Sequence, residues 1–314
     1  MTTLAPRQAP GTWLALVTVY LVWGSTYLAI RLTVDDLPPL MAMGARFTVA
    51  ALLLGVAMTV HLGWRAVRPT RRQLVGCGVV GVLLLLCGNG GVAVAEQRID
   101  SGMAALVVAT VPLWVVLIRV AARDRPGPMS LVGSVVGFGG IAILTLPSAG
   151  GRTGVGLLIV FCAALAWSIG SWLSPRLGLP SHPLVATTWE MLTGGLIMLA
   201  VGTLAERDDL ALGDVRPSAW WAMVYLVLVG SLLGYTAFVW LLANAPISLT
   251  ATYAYVNPVV AVALGTVFLD EKLTWAMLLG GSVVVAGVVF VVRGERPKHL
   301  TEPRPEPEPE PAHR

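Results

Sequence analysis

Ten apolar runs, most of them about twenty residues long, divide this 314-residue chain into segments separated by short charged or proline-rich loops. A run of that length can cross the hydrocarbon core of a bilayer as an α-helix. Only 12% of the residues are charged, against about 25% in soluble proteins. The sequence therefore predicts an all-α integral membrane protein. Its ten predicted transmembrane helices are residues 13–31, 39–62, 73–97, 101–122, 129–147, 154–174, 183–204, 219–243, 248–269 and 274–292.

The Lys and Arg residues predict the orientation of the chain. With the N terminus in the cytoplasm, fourteen of them fall on the cytoplasmic side and seven on the other side. Because positive charge accumulates in cytoplasmic loops, both termini are predicted to be cytoplasmic. The basic balance follows from this orientation and does not indicate a nucleic-acid partner. The flanking segments are predicted to be a cytoplasmic N terminus, 1–12, and a disordered Pro/Glu tail in the cytoplasm, 293–314.

An internal repeat divides the predicted helices into two sets of five. A shift of 144 residues places Trp167 on Trp23, and at the proline-containing helices a shift of 146 residues places Pro258 on Pro112. Because five is odd, the second copy enters the membrane from the opposite side. Two inverted copies around a central cavity are the architecture of many secondary transporters. The predicted repeats are residues 13–147 and 148–292.

Two matched prolines mark predicted helix breaks at mid-membrane. Pro112 lacks the amide that would bond the carbonyl of Val108, and Pro258 does the same for Ala254. Within lipid a free carbonyl must find a partner or face a cavity. Asn257, beside Pro258, adds an amide at the same depth. The pair predicts a cavity lining, with a kinked but well-packed helix as the alternative for each proline alone.

Aromatic and polar side chains far from the helix ends complete the predicted substrate site. Trp23 and Trp167 are repeat mates, and neither lies where interfacial tryptophans anchor a span. Packing within the bundle, an aromatic substrate or a delocalised cation stacked on the rings would each explain them. The predicted cavity residues are Trp23, Thr26, Asn89, Trp114, Trp167, Tyr235, Trp240 and Asn257.

Two charged residues, Arg46 and Glu190, lie well inside predicted helices, where a charge is costly and usually functional. They are repeat mates, but inversion separates their depths by roughly 10 Å, so a direct salt bridge is not expected. Glu96 ends the third helix on the same outer side as Arg46, and we predict a contact between these two that closes the outer mouth. Glu190 is predicted to carry a coupled proton, because burial favours the neutral carboxyl group. A structural carboxylate, bonded to Thr187 or Thr193, is the alternative.

Glycines recur along one face of the fifth and tenth predicted helices. Small residues at such spacing allow helices to approach closely in a membrane. The sequence leaves open whether these glycines join the two halves or the two subunits of a homodimer. They are Gly133, Gly137, Gly139, Gly140, Gly280, Gly281 and Gly287.

Four motifs extend over the membrane part of the chain. They are Trp23-Gly-Ser25, Arg46-Phe47, residues 95–114 with Ala109-Thr-Val-Pro-Leu-Trp114 at their end, and Phe268-Leu-Asp-Glu-Lys-Leu273. This set resembles the EamA family of the drug/metabolite transporter superfamily. The resemblance implies ten spans, a central cavity and residence in the bacterial plasma membrane. It also implies proton-coupled export of a small molecule such as an amino acid, a nucleoside or an amphipathic drug.

Other classes of function receive less support from the sequence. An importer of the same architecture is one alternative, since nothing in the residues fixes the direction of transport. A membrane-embedded enzyme is another, but the sequence has no His-Glu-x-x-His or Gly-x-Ser-x-Gly motif. The three cysteines lie in apolar runs without metal-ligand spacing. No metal and no cofactor are therefore predicted.

Overall fold

The computed structural model describes residues 10–124, 126–145, 151–206, 208, 212–245, 250 and 252–294. The regular structure within these residues is helical, and ten principal helices follow one another along the chain. They are α1 (Pro10–Val34), α2 (Pro39–Leu62), α3 (Arg71–Glu96), α4 (Ser101–Ala121), α5 (Pro128–Thr145), α6 (Gly151–Leu173), α7 (Pro183–Ala205), α8 (217–244), α9 (Tyr253–Phe268) and α10 (Trp275–Gly294).

Nine helices of the described chain are long and apolar enough to cross a membrane, and α9 is a shorter apolar helix. Large apolar side chains cover their outer surface: Val60 and Leu204 are both 83% exposed, as expected for residues that face lipid. The prediction of an all-α membrane protein is confirmed, with nine full spans and a tenth helix of 16 residues. The predictions for residues 1–9 and for the tail 295–314 lie outside the described residues.

Helices that occupy equivalent positions in the two repeats are called mates here, and one pair of mates shares the same irregularity. Helix α3 is π-helical over Val82–Gly90, and α8 is π-helical over Leu226–Leu233, which begins 144 residues later. A π-helix bonds each amide to the fifth residue before it and is frequent at functional sites. The repeated position of this feature supports an origin of the two halves from one duplicated unit.

The two matched prolines behave differently. Helix α4 is interrupted between Val108 and Val111, and its second segment begins with Pro112 in the first turn, where a missing amide costs nothing. The predicted break at Pro112 is therefore present. In contrast, α9 continues through Pro258, so the predicted break at Pro258 is wrong. Pro258 is the sixth residue of α9, so it leaves the carbonyl of Ala254 in the first turn without its helical donor while the helix continues.

Contacts between helices follow one pattern in both halves. Helix α2 packs against its mate α7, and α5 packs against its mate α10. Helix α1 packs against α9 and α8, while its mate α6 packs against α4 and α3, which are the mates of α9 and α8. The contacts are thus unchanged when the two halves are exchanged, as expected for a two-fold relation between them.

Glycines allow the closest of these contacts. A Cβ atom at Gly140 would lie 2.6 Å from the amide nitrogen of Val284, and one at Gly280 would lie 2.8 Å from that of Leu144. Between α2 and α7, a Cβ atom at Gly44 would lie 2.5 Å from the amide nitrogen of Leu199. These glycines of α5 and α10 therefore join the two halves of one chain, which answers the question that the sequence left open for them.

Candidate functional site

A cavity of about 130 Å³ lies in the middle of the bundle. Helices α1, α3, α4, α6, α8 and α9 line it, and Arg46 reaches it from α2. Pro112 and Pro258 also lie in its wall. Six of the eight predicted cavity residues line this space, although their role in binding stays a prediction. The six are Trp23, Thr26, Asn89, Trp167, Tyr235 and Asn257.

The two mate tryptophans lie in equivalent surroundings. Trp23 of the first half lies against Gly234 of α8, where a Cβ atom would be 2.5 Å from the indole nitrogen. Trp167 of the second half lies against Gly88 of α3, where a Cβ atom would be 2.8 Å from the ring. Each indole therefore needs a glycine in, or directly after, the π-helical segment of the opposite half.

One end of the cavity wall is aromatic. The ring of Trp23 meets Tyr235 and Tyr253 edge to face, with centroids 5.4 and 5.2 Å apart, and Phe238 is 4.9 Å away. Such ring arrangements are the favoured ones for aromatic side chains. They hold the indole in place and present an apolar surface to anything that enters the cavity.

Asn257 supplies an unused polar atom to this wall. The residue is 8% exposed, and its Oδ1 atom has no hydrogen-bond partner among the described residues. A buried carbonyl oxygen without a donor costs free energy that a ligand or a water molecule can recover. Asn257 is therefore a candidate acceptor for a donor group on a bound molecule.

Two predicted cavity residues, Trp114 and Trp240, lie elsewhere. Trp114 packs between Phe138 and Phe161, with ring centroids 5.0 and 4.8 Å away. Trp240 is 39% exposed on the outer surface. Helical geometry explains both positions, because Pro112 and Tyr235 line the cavity. Trp114 follows Pro112 by two residues, which is a rotation of roughly 200° around the helix axis. Trp240 follows Tyr235 by five residues, which is one full turn plus roughly 140°.

The predicted contact between Arg46 and Glu96 is wrong. Arg46 donates from Nε to Ser231 Oγ at 3.0 Å and from a terminal nitrogen to Met43 Sδ at 3.7 Å. Glu96 is fully buried, and both of its carboxyl oxygens lack a partner among the described residues. Arg46 is seven residues into α2, about 10 Å deep, whereas Glu96 ends α3. The two side chains therefore lie at different depths.

Carboxylates from the second half cap helices of the first half at one end of the bundle. We call this the outer end, because the positive charges predict that it faces outward. Glu206, which follows α7, accepts the amides of Leu40 and Met41 at the start of α2, at 3.0 Å. Glu271, which follows α9, accepts the amides of Ser101 and Gly102 at the start of α4, at 2.8 and 3.1 Å. The first amides of a helix are free donors and favour an anion.

An ion pair adds a third link between the halves at the outer end. Arg216, before α8, bonds Asp36, between α1 and α2, at 2.8 Å. None of these three links was predicted from the sequence. Their one visible signal is an acidic residue in a loop next to a helix end, and the partners are more than 160 residues apart.

The pair of Asp36 and Arg216 should give the folded protein a small acid-sensitive stability. Hydrogen bonds from Arg216 lower the pKa of Asp36 below its usual value. Because the folded-state pKa is the lower one, the pair stabilises the fold at neutral pH, and this contribution disappears as the pH falls through the lowered pKa. We expect Asp36→Asn to lower the melting temperature slightly at pH 7 and by less at pH 3. Thermal unfolding in nanodiscs measures this, and equal differences at both pH values would contradict it.

Glu190 does not line the cavity. It is half-buried on α7, and its main chain lies against α3, where a Cβ atom at Gly81 would be 2.6 Å from the Glu190 carbonyl oxygen. Thr193 was the alternative partner predicted for the Glu190 carboxyl group. Its hydroxyl instead donates to the main-chain carbonyl of Glu190 at 3.4 Å. A role of Glu190 in proton coupling stays a prediction.

A duplicated bundle of apolar helices with a shared central cavity is the architecture of secondary transporters. The chain belongs to the EamA-like transporter family, whose model matches residues 10–146 and 154–293. The protein is thus a membrane transporter and not an enzyme, and the resemblance seen in the sequence motifs is confirmed.

Relatives with the same extent support this assignment. The chain is 37% identical over 302 residues, 95% of each chain, to YedA of Escherichia coli K12, described as an uncharacterized inner membrane transporter. It is 29% identical over 280 residues to PecM of Dickeya dadantii, covering 86% of this chain and 88% of PecM. A protein of known crystal structure shares the fold, with a TM-score of 0.62 at 20% identity over 91% of this chain and 98% of that one. The chain is a multi-pass protein of the inner, or plasma, membrane.

Proposed function

We propose that this transporter exports a small molecule from the bacterial cytoplasm by alternating access, driven by the proton gradient, with the central cavity as the substrate site. The observation that carries this proposal is the composition of the cavity wall. Helices α1, α3 and α4 of the first half face α6, α8 and α9 of the second half across one space. A site held between two equivalent halves can open to either side when the halves exchange conformations.

Opposite insertion of the two halves, which this mechanism requires, is supported by the contacts at the outer end. Glu206 links the end of α7 to the start of α2, and Glu271 links the end of α9 to the start of α4. Helices α2 and α7 are mates, and so are α4 and α9. Mates therefore run in opposite directions, as inverted copies must.

The outer-end links are the proposed outer gate. Glu206, Glu271 and Arg216 all belong to the second half, and each binds a group of the first half. Opening the cavity outward must separate the two halves at this end and break these contacts. The amides at the starts of α2 and α4 then become accessible to water, which limits the free energy that opening requires.

Glu96 is the carboxyl group best placed to respond to this opening. Burying a carboxylate without donors is far costlier than burying a neutral carboxyl group, and both Glu96 oxygens are buried without partners. We therefore assign it the coupled proton while the outer end is closed. Its charged and titratable neighbours are Tyr27, Arg31, Asp35 and Glu271. When the outer end opens, water from outside reaches Glu96 and can deliver the proton. Closure of the outer end then buries the neutral carboxyl group, and release of the proton to the cytoplasm couples inward proton flow to export.

A bulky side chain in the cavity should abolish export. Ala254 is half-buried in the cavity wall, and an indole at this position would fill most of a space of about 130 Å³. We expect cells that produce Ala254→Trp to lose the resistance that the wild-type protein confers against one or more toxic amino acids, nucleosides or cationic drugs. Growth in the presence of each compound measures this.

The control for this experiment is Ala57→Trp, because Ala57 is exposed on α2 away from the cavity. It should retain full resistance at equal protein levels in the membrane. Resistance in Ala254→Trp equal to that of the control would reject the cavity as the substrate site. Accumulation of the compound by wild-type cells, in place of its loss, would show an importer.

A further inference from the structure

Resting on the proposed function, we infer that Arg46 binds a carboxylate of the transported molecule, so that the substrate is a small organic anion or zwitterion with an apolar body. Failure of this inference leaves the proposed export function standing, because another class of compound could occupy the same cavity.

Arg46 is a buried cation with neutral partners. It is 3% exposed and lies in the cavity wall. Its contacts are Ser231 Oγ, Met43 Sδ and the ring of Phe47, whose centroid is 4.6 Å from the guanidinium carbon. A guanidinium has five N–H donors in a planar fork that suits two carboxylate oxygens. The described contacts leave most of these donors available.

The surrounding protein does not neutralise the charge of Arg46. Among the described residues, no carboxylate lies within salt-bridge distance of its guanidinium, and the expected partner Glu96 lies at the outer end. Taking an ion out of water costs several kcal/mol unless an opposite charge compensates it. A charged residue in this position inside a membrane protein marks a substrate or ion pathway. An anionic substrate would supply the missing charge.

The rest of the cavity wall sets the remaining properties of the ligand. Arg46 is the only residue with a formal charge among the described residues that line the cavity, so a cationic molecule would meet repulsion. Aromatic rings such as those of Trp23 and Trp167 suit an apolar or aromatic body. The free Oδ1 atom of Asn257 can accept a hydrogen bond from an ammonium or hydroxyl group. A hydrophobic amino acid has all three features, whereas a neutral nucleoside or a cationic drug lacks the anion.

The test compares two probes that differ in charge and scarcely in shape. Purified full-length protein in nanodiscs is titrated calorimetrically with 3-phenylpropionate and with 3-phenylpropanamide. We expect the wild type to bind the carboxylate at least about tenfold more tightly than the amide, the size of effect that one charge-assisted hydrogen bond can give. Arg46→Gln should remove this preference, and Arg46→Lys should keep part of it, because lysine retains the charge and loses the fork.

Variants with other defects separate the outcomes. Trp23→Ala should weaken both probes equally, because the ring contacts the apolar body that they share. Equal binding of the two probes by the wild type, preference for the amide, or no binding of either would overturn the inference without the need for any variant. Unchanged preference in a folded Arg46→Gln would overturn it too. In each of these cases, resistance that Ala254→Trp abolishes would still support the proposed export function.

Discussion

Leucine at Gly140 is expected to prevent stable folding, whereas leucine at the neighbouring Gly139 is expected to leave the protein intact. A Cβ atom at Gly140 would lie 2.6 Å from the amide nitrogen of Val284 and 2.8 Å from the carbonyl oxygen of Gly280. Both atoms belong to the backbone of α10 and cannot rotate away as a side chain can. Gly139 has open space where its Cβ atom would be.

The size of this effect follows from what must move. Overpacking that side chains can absorb costs about 1–3 kcal/mol, and here the whole contact between α5 and α10 has to widen. We therefore expect a loss of more than about 3 kcal/mol for Gly140→Leu, which exceeds what side-chain repacking absorbs. Size-exclusion profiles and melting temperatures in detergent measure it. Similar melting temperatures for Gly140→Leu and the wild type, or equal damage from Gly139→Leu, would contradict this view of the interface.

Glutamine at Glu96 is expected to uncouple export from the proton gradient. The substitution keeps the size of the side chain and imitates the neutral carboxyl group that we assign to the closed state. The outer end should therefore still close, and the protein should still fold and bind its substrate. Because glutamine cannot release a proton, we expect a pH gradient to drive little or no export by this variant.

Inside-out vesicles that contain the purified protein measure this, with uptake of an identified substrate followed with and without a pH gradient. Glu190→Gln is the matched comparison, since it removes the other carboxyl group proposed as the proton carrier. Full pH-driven transport by Glu190→Gln would reject the prediction made for Glu190 from the sequence. Full pH-driven transport by Glu96→Gln would reject Glu96, and loss in Glu190→Gln alone would restore the original prediction.

Helix positions were largely predictable because lipid imposes a simple rule. An apolar run bounded by prolines or charges predicted α2 at 39–62, where the structure has it, since every residue in the run must satisfy its backbone within the helix. The start of α9 was harder to predict. Threonine, alanine and serine around residue 250 are as acceptable in a helix as in a connecting segment, and the described helix begins at Tyr253.

Side-chain directions were predicted correctly where the repeat or a polar group indicated the inner face. Trp23 and Trp167 confirm each other as mates, and both line the cavity. Trp114 and Trp240 had no such support, and in a helix that is apolar on every face the sequence does not indicate which side faces inward. The pairing of Arg46 with Ser231 was equally hidden, because a serine on a distant helix carries no charge to mark it.

The π-helical segments of α3 and α8 determine which residues reach the middle of the protein. A π-helical turn contains more residues than a regular α-helical turn. Each extra residue rotates everything after it by roughly 100° around the helix axis. Wound as a regular helix, α8 would carry Tyr235 away from Trp23 and towards a neighbouring helix or the lipid. Loss of one residue in 226–233 would thus empty one wall of the cavity without touching any residue that lines it from α8.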